Sequence, residues 1–171
     1  MLVTQPLTPL IVPPWMAYAY SKIGQKEVPG EGDNPFIIEC FKDAGLPQSM
    51  WHDSTTAWCG CFVNKCLKET GFPRPKGPAA ARNWSRPCPE LLHLAAPVHG
   101  CIIVYSRPPD PSSGHVGFYD DRGVDEDDWY YDTLGGNQNN KVGVKPYPKE
   151  RFIGAYWPSS HPLPPEAKLF A

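Results

Sequence analysis

Five short runs of alternating or β-branched residues crowd the second half of this chain: CIIVY (101–105), HVGFY (115–119), WYYDTL (129–134), KVGVK (141–145) and RFIGAYW (151–157). Clusters of Pro, Gly and Asp separate them at hairpin lengths, so they read as consecutive strands of one antiparallel sheet rather than as parts of a βαβ array. The first half carries helical patterns instead. Trp15 to Ile23 reads as one helix, and a second opens at Asp33-Asn34-Pro35, with Asn34 as cap and Pro35 at the first helical position, ending near Gly45. A third is predicted to start at Ser54, Thr55 or Thr56, run through TAWCGCFVNKCLKET and stop at Gly71. A shorter helical piece, Pro78 to Trp84, follows. Helices first and strands after predict an α+β fold, with N-terminal helices packed on a C-terminal antiparallel β-sheet of about five to six strands.

A length of 171 residues suits one domain, with a core at 14–158 and Pro-rich tails at 1–13 and 159–171. The 22 Pro and 15 Gly call for a loop-rich structure. Lys and Arg number 16 against 18 Asp and Glu, a net charge of −2, so the basic excess of a nucleic-acid or anionic-membrane binder is missing. No apolar run approaches the ~18–20 residues of a membrane span. Neither nucleic acid nor membrane insertion is therefore expected. The opening MLVTQPLTPLIVPPW has no basic residue before its short, Pro-broken apolar stretch and does not read as a secretory signal. Without such a signal, the six cysteines are expected as thiols.

In the third helix, positions 59, 62, 63, 66 and 67 form one apolar stripe facing the core. Cys66 is expected beneath Cys59, and Cys61 on the opposite side. A thiol in the first helical turn meets unpaired N–H groups and the positive end of the helix dipole, both of which favour thiolate. Cys59 is thus a candidate nucleophile, and it needs an imidazole partner. Of five histidines only His115 lies in a predicted strand, on one face with Gly117 and Tyr119, while Gly114 and Gly117 leave room around its ring. Each also has a structural reading, as a small core thiol and as a packed strand histidine. Cys59, Cys61 and Cys66 supply three thiols, but with Cys61 turned away they do not converge on a tetrahedral zinc site.

The run TTAWCGCFVNKCL (55–67), then SGHVGFY (113–119), then LGGNQNNKVGVKPYP (134–148), resembles the CHAP (cysteine, histidine-dependent amidohydrolase/peptidase) cell-wall hydrolases and their NlpC-type relatives, above all a small phage-associated branch. PWMAYAYSKIGQKEVPGEGDNP (14–35) is similar to the opening of that branch, so the likeness spans roughly residues 14–158. It implies a papain-like fold in which Cys59 attacks an amide carbonyl and His115 takes the thiol proton and returns it to the leaving amine. The third, orienting residue falls on the GGNQ turn: Asn137 first, Gln138 in reserve, with Asp132 as a carboxylate on the preceding strand. Many members carry Glu two residues before the matching Asn; Gly135 stands there in this chain, so a neutral amide has to serve.

Trp58, Trp51, Asp53 and Gln138 are the residues expected to line the substrate cleft, although Asp53 reads equally as a cap, Trp58 as core and Asn137 as a plain turn residue. Trp129, Tyr130 and Tyr131 lie near the same motifs. The Cys59 N–H and one further donor would form the oxyanion hole. Glu27, Glu31 and Asp33 lack the alternation of carboxylates that calcium wants, so neither metal nor other cofactor is expected. The acidic run from Asp120-Asp121 to Asp125-Glu126-Asp127-Asp128 reads as a solvated hairpin tip.

The resemblance names peptidoglycan as substrate, cut at the N-acetylmuramoyl-L-alanine amide or within the stem peptide. It implies a monomer made in the bacterial cytoplasm without a Sec signal and acting on the wall from the periplasm. Two settings fit: a phage endolysin released through a holin, and an injected antibacterial effector with an immunity partner. Readings of other kinds are a cysteine protease or transglutaminase-like enzyme acting on proteins, and a catalytically silent binding or structural protein on the same scaffold.

Overall fold

A computed structural model describes residues 12–122 and 129–171. The expectations that fall on residues 1–11 of the N-terminal tail and on Asp125-Glu126-Asp127-Asp128 lie outside the described residues. Three α-helices come first, α1 (Pro14–Ser21), α2 (Pro35–Asp43) and α3 (Cys59–Glu69). Six strands follow: β1 (Leu91–Leu94), β2 (Ile102–Arg107), β3 (Asp110–Tyr119), β4 (Tyr130–Gly135), β5 (Gly143–Pro148) and β6 (Phe152–Pro158). They form one antiparallel sheet in the order β1-β6-β2-β3-β4-β5, so the architecture is α+β.

The second helix begins as the sequence predicts. Asn34 caps it, its Oδ1 accepting the Phe36 N–H at 2.8 Å, with Pro35 next in line. The third starts later than predicted. Ser54 to Thr56 lie instead in a turn in which the Thr55 and Thr56 N–H groups both donate to the His52 carbonyl, and the Thr56 hydroxyl donates to Met50 O at 2.7 Å. Trp58 takes the cap position without a side-chain hydrogen bond, so Cys59 is the first residue of α3. The piece predicted at Pro78–Trp84 is a 3-10 turn over Ala81–Ser85. The short run LLHL carries too little alternation to read as a strand, and it becomes one, β1, by pairing with β6. The C-terminal residues pack on the body: Leu169 bridges to Leu94, Ala95 N–H donates to Lys168 O, and Phe170 stacks on His93.

The expectation that Cys61 faces away from the core is corrected. Every residue of α3 from Cys59 to Leu67 is buried, Cys61 completely, because α1, α2, the 81–85 turn and the sheet surround the helix. The enclosure takes in even Lys65, whose ammonium is shared by Asp43 at 2.9 Å and Glu69 at 2.7 Å and so keeps its partners where water is scarce. Gly60 is what lets α3 come so close to the 78–84 segment: a Cβ there would stand 2.5 Å from the carbonyl oxygens of both Pro78 and Ala79.

Both faces of the sheet are occupied. Ile102, Val104, Val116, Phe118 and Leu134 join the helices in the main core. The opposite face carries a second buried layer of Tyr105, His115 and Thr133, with the Tyr105 hydroxyl 2.7 Å from Thr133 Oγ1 and the Tyr147 ring stacked on Tyr105 at 4.8 Å.

Since the oxygens facing Gly60 belong to backbone, they cannot swing aside. Gly60→Ala is expected to lower unfolding free energy by about 1–3 kcal/mol, the ordinary cost of overpacking, as read from the urea midpoint.

Candidate active site

Cys59 stands at the first position of α3 with 5% of its surface exposed. The Val116 N–H of β3 and the N–H groups of Gly60 and Cys59 favour its thiolate, as does the Arg107 guanidinium. Burial outweighs them and pushes the thiol above its ordinary value of 9.0. His115 precedes Val116 on β3 and is 1% exposed. Desolvation drives its imidazole from 6.5 down to about 3, against the opposing effect of the hydrogen bond that it donates to Gln138. At rest Cys59 is accordingly a neutral thiol and His115 a neutral imidazole.

The tautomer of that imidazole follows from its surroundings. Gln138 Nε2 donates to Thr133 O at 2.9 Å and to Gly143 O, which uses both amide hydrogens and fixes which end of the side chain is oxygen. Its Oε1, 3.0 Å from His115 Nε2, can then only accept, so the ring carries its proton on Nε2. Nδ1 is left as a bare acceptor, buried and without a hydrogen-bond partner. A neutral ring with a free lone pair, held in orientation from its far side, is the form a general base requires.

Gln138, not Asn137, holds the ring. Asn137 sits in a left-handed conformation with φ 55°, a geometry asparagine tolerates well, and serves the turn. The missing side chain at 135 has a spatial reason: a Cβ on Gly135 would lie 3.3 Å from His115 Nε2 and 3.2 Å from Gln138 Oε1. Gln138 occupies the space that a side chain at 135 would claim. Asp132 is one residue from Thr133 and therefore on the other face of β4.

The residues expected to line a cleft are spent on structure. Trp58 is fully buried, donates its indole N–H to Glu27 Oε1 at 2.9 Å, and packs where a Cβ on Gly136 would strike it at 2.5 Å. Trp51, half-buried, donates to Leu46 O at 2.9 Å. Asp53 is a clasp: its Oδ2 accepts the Val28 and Asn34 N–H groups at 3.0 and 2.7 Å, while its own N–H donates to Asp33 Oδ1 at 2.8 Å. The clasp ties the loop after α1 to the approach to Cys59. The same loop is laced to the 135–142 turn by Gly24 N–H to Val142 O, Val142 N–H to Gln25 O and Glu27 N–H to Asn140 O. One loop thus braces both the approach to Cys59 and the turn that carries Gln138.

Two residues of the site are missing from the sequence-based reading, and a third, Glu27, figures there only as a carboxylate weighed for calcium. Tyr147 lies flat on the His115 ring, centroids 4.5 Å apart and planes within 7°. Tyr105 lies beyond it, and Glu27 fixes Trp58. Tyr147 falls inside the KVGVKPYP motif, but nothing in a one-dimensional pattern says that β5 delivers it to β3 across the intervening strand.

Among the described residues, His99, Asp120 and Asp121 bring potential metal-ligating atoms within 4.8 Å of one another. Arg122 already engages Asp120 at 3.2 Å, and His99 Nδ1 engages Asp121 at 2.6 Å. No helix among the described residues is long and apolar enough to cross a membrane.

The imidazole also sets a pH dependence of stability. The unfolded chain takes up a proton at His115 below 6.5, while the folded chain refuses it until about 3, so this contribution is whole above 6.5 and is lost as pH falls between those values. His115→Asn is expected to make the acid limb of stability against pH shallower by about one proton, measured as urea-unfolding free energy across that window. Comparison with family models, with curated proteins and with solved structures finds no match for this chain.

Proposed function

We propose that this chain is a cysteine-dependent amidohydrolase of papain-like fold that cuts an amide bond of bacterial peptidoglycan. The observation that carries the reading is the buried imidazole of His115, its Nε2 proton committed to Gln138 and its Nδ1 bare, next in sequence to the residue whose N–H serves the Cys59 thiolate. An orphaned polar atom in the interior costs stability, and the bare Nδ1 is the group left ready to accept a proton.

In this reading Cys59 passes its proton to His115 Nδ1 as its sulfur attacks the substrate carbonyl. The first-turn N–H groups of α3, with their dipole, stabilise the oxygen that becomes negative. His115 then protonates the leaving amine, and the carbonyl stays on sulfur as a thioester. Water, losing a proton to Nδ1, attacks the thioester and releases a carboxylic acid, and the sulfur recovers its proton. Substrate entry is the step that brings Nδ1 to the thiol, as hydrogen bonds between catalytic groups commonly tighten only on binding.

The choice of peptidoglycan rests on the likeness of the three motifs to the CHAP hydrolases. The bond is either the N-acetylmuramoyl-L-alanine amide or one within the stem peptide, and lysis of the host by a phage is the setting that fits best.

Purified sacculi digested with wild type should clear and release fragments whose new ends, identified by mass spectrometry, name the bond; Cys59→Ala should release none. An intact, folded wild type without activity on sacculi would overturn the reading, and cleavage of casein in place of sacculi would redirect it to proteins. Gln138→Ala is expected to lower kcat on the order of 10- to 100-fold and to alter the pH–rate profile, a share of the ~10²–10⁴ that acid–base catalysis contributes. Asn137→Gly, which keeps the left-handed turn, is expected to leave kcat near wild type.

A further inference from the structure

Gln138, Thr133, Tyr105 and Tyr147 close a circuit of contacts around the His115 imidazole. Tyr105 on β2 is the register partner of His115, and Thr133 on β4 is the partner of Tyr119, further along β3. The two hydroxyl oxygens nevertheless meet across β3 at 2.7 Å. Gly117, between His115 and Tyr119 on the same face of β3, makes the room: a Cβ there would stand 2.6 Å from Thr133 Cγ2 and 2.8 Å from Leu134 O. The Thr133 hydroxyl donates to Tyr131 O at 3.3 Å, so in the bond to Tyr105 it accepts and Tyr105 donates.

The backbone ladder does not supply this link. Among the described residues, β3 and β4 pair at Phe118 with Leu134 and at Tyr119 with Thr133, and the register ends there, short of His115. From Thr133 to the imidazole the connection runs through side chains: Gln138 Nε2 donates to Thr133 O at 2.9 Å, and His115 Nε2 lies 3.0 Å from Gln138 Oε1. Thr133 therefore carries the glutamine on its carbonyl and Tyr105 on its hydroxyl. The Tyr147 ring, 4.8 Å from that of Tyr105 and 4.5 Å from that of His115, closes the circuit. Tyr105 and Thr133 are both fully buried, so neither hydroxyl has water to turn to once the other is removed.

We propose that Tyr105 is a positioning residue of the active site: its hydroxyl, through Thr133, holds the carbonyl that anchors Gln138, and so keeps the proton of His115 on Nε2 and leaves Nδ1 bare. The proposal rests on the hydrolase reading for its effect on rate, while its effect on the imidazole is read without any substrate.

The test follows the imidazole nitrogens by nitrogen NMR at neutral pH in protein carrying labelled histidine, with His115 assigned by its absence in His115→Asn. Cleavage of soluble peptidoglycan fragments and urea unfolding are measured on the same variants. Wild type is expected to show His115 as the Nε2–H tautomer alone. Tyr105→Phe, which keeps the stacked ring and loses the hydroxyl, is expected to show both tautomers and to lower kcat about three- to tenfold at unchanged KM, the share of one net hydrogen bond. Thr133→Ser, which keeps a hydroxyl, is expected to retain the single tautomer. Thr133→Val leaves the Tyr105 hydroxyl buried and unpaired and costs stability; adding Tyr105→Phe to it is expected to restore much of that stability without restoring the tautomer. Return of the single tautomer along with stability in the double variant, or a wild-type spectrum and kcat in Tyr105→Phe, overturns the proposal and leaves the hydrolase standing. Mixed tautomers in Tyr105→Phe with no cleavage by wild type overturn the hydrolase and leave the positioning of the imidazole. A wild type that itself shows both tautomers overturns the proposal outright.

Discussion

Enclosure of α3 on every side is the constraint from which the rest of the site follows. A helix that meets protein all round cannot shift to accommodate a partner, so its first residue has a fixed address, and the strand passing that address has to bring the complementary chemistry. The approach depends on Gly60, where a Cβ would strike the backbone of the 78–84 segment. Closing the helix in also raises the electrostatic cost of any charge at its start, and this governs both members of the pair. Burial holds Cys59 and His115 neutral despite local groups that favour the thiolate. In the proposed reaction, charge would separate between them only once a substrate carbonyl is present to complete it.

A single amide side chain then decides which nitrogen of His115 carries the proton. The Gln138 side chain meets three polar partners: two carbonyls, from β4 and the start of β5, and the imidazole. Because both carbonyls belong to backbone, the glutamine cannot flip without leaving them unpaired, and the ring inherits that rigidity. Tyr147 closes the remaining face of the ring by stacking. The loop between α1 and α2 works at one remove, clasped to the approach to Cys59 through Asp53 and laced to the glutamine turn through its own backbone.

The parts of this architecture written in local sequence were legible, and those made by tertiary pairing were not. Asn34-Pro35 announces a helix start because capping is a local event. The five runs beginning at Cys101 announce strands because each alternates, whereas β1 has only four residues and exists through β6. Cys61 was expected on an outer face since an amphipathic stripe says which side is apolar, not that the other side is also covered; the covering comes from elements far away in the chain. The exchange of Asn137 for Gln138 has the same origin. A turn sequence offers two neighbouring amides, and the choice is made by the carbonyls of Thr133 and Gly143, which only the folded hairpin brings together.

The two borders of the sheet are finished differently. At β1 the C-terminal residues 168–170 take up the outer hydrogen-bonding groups, while β5 carries Pro146 and Pro148, which have no N–H to give. Neither border presents the uninterrupted row of donors and acceptors on which a strand from a second chain could grow. A sheet sealed in this way can accumulate to high local concentration without recruiting copies of itself into extended β-structure, and the strands that carry the imidazole and its glutamine are kept inside those two closed margins.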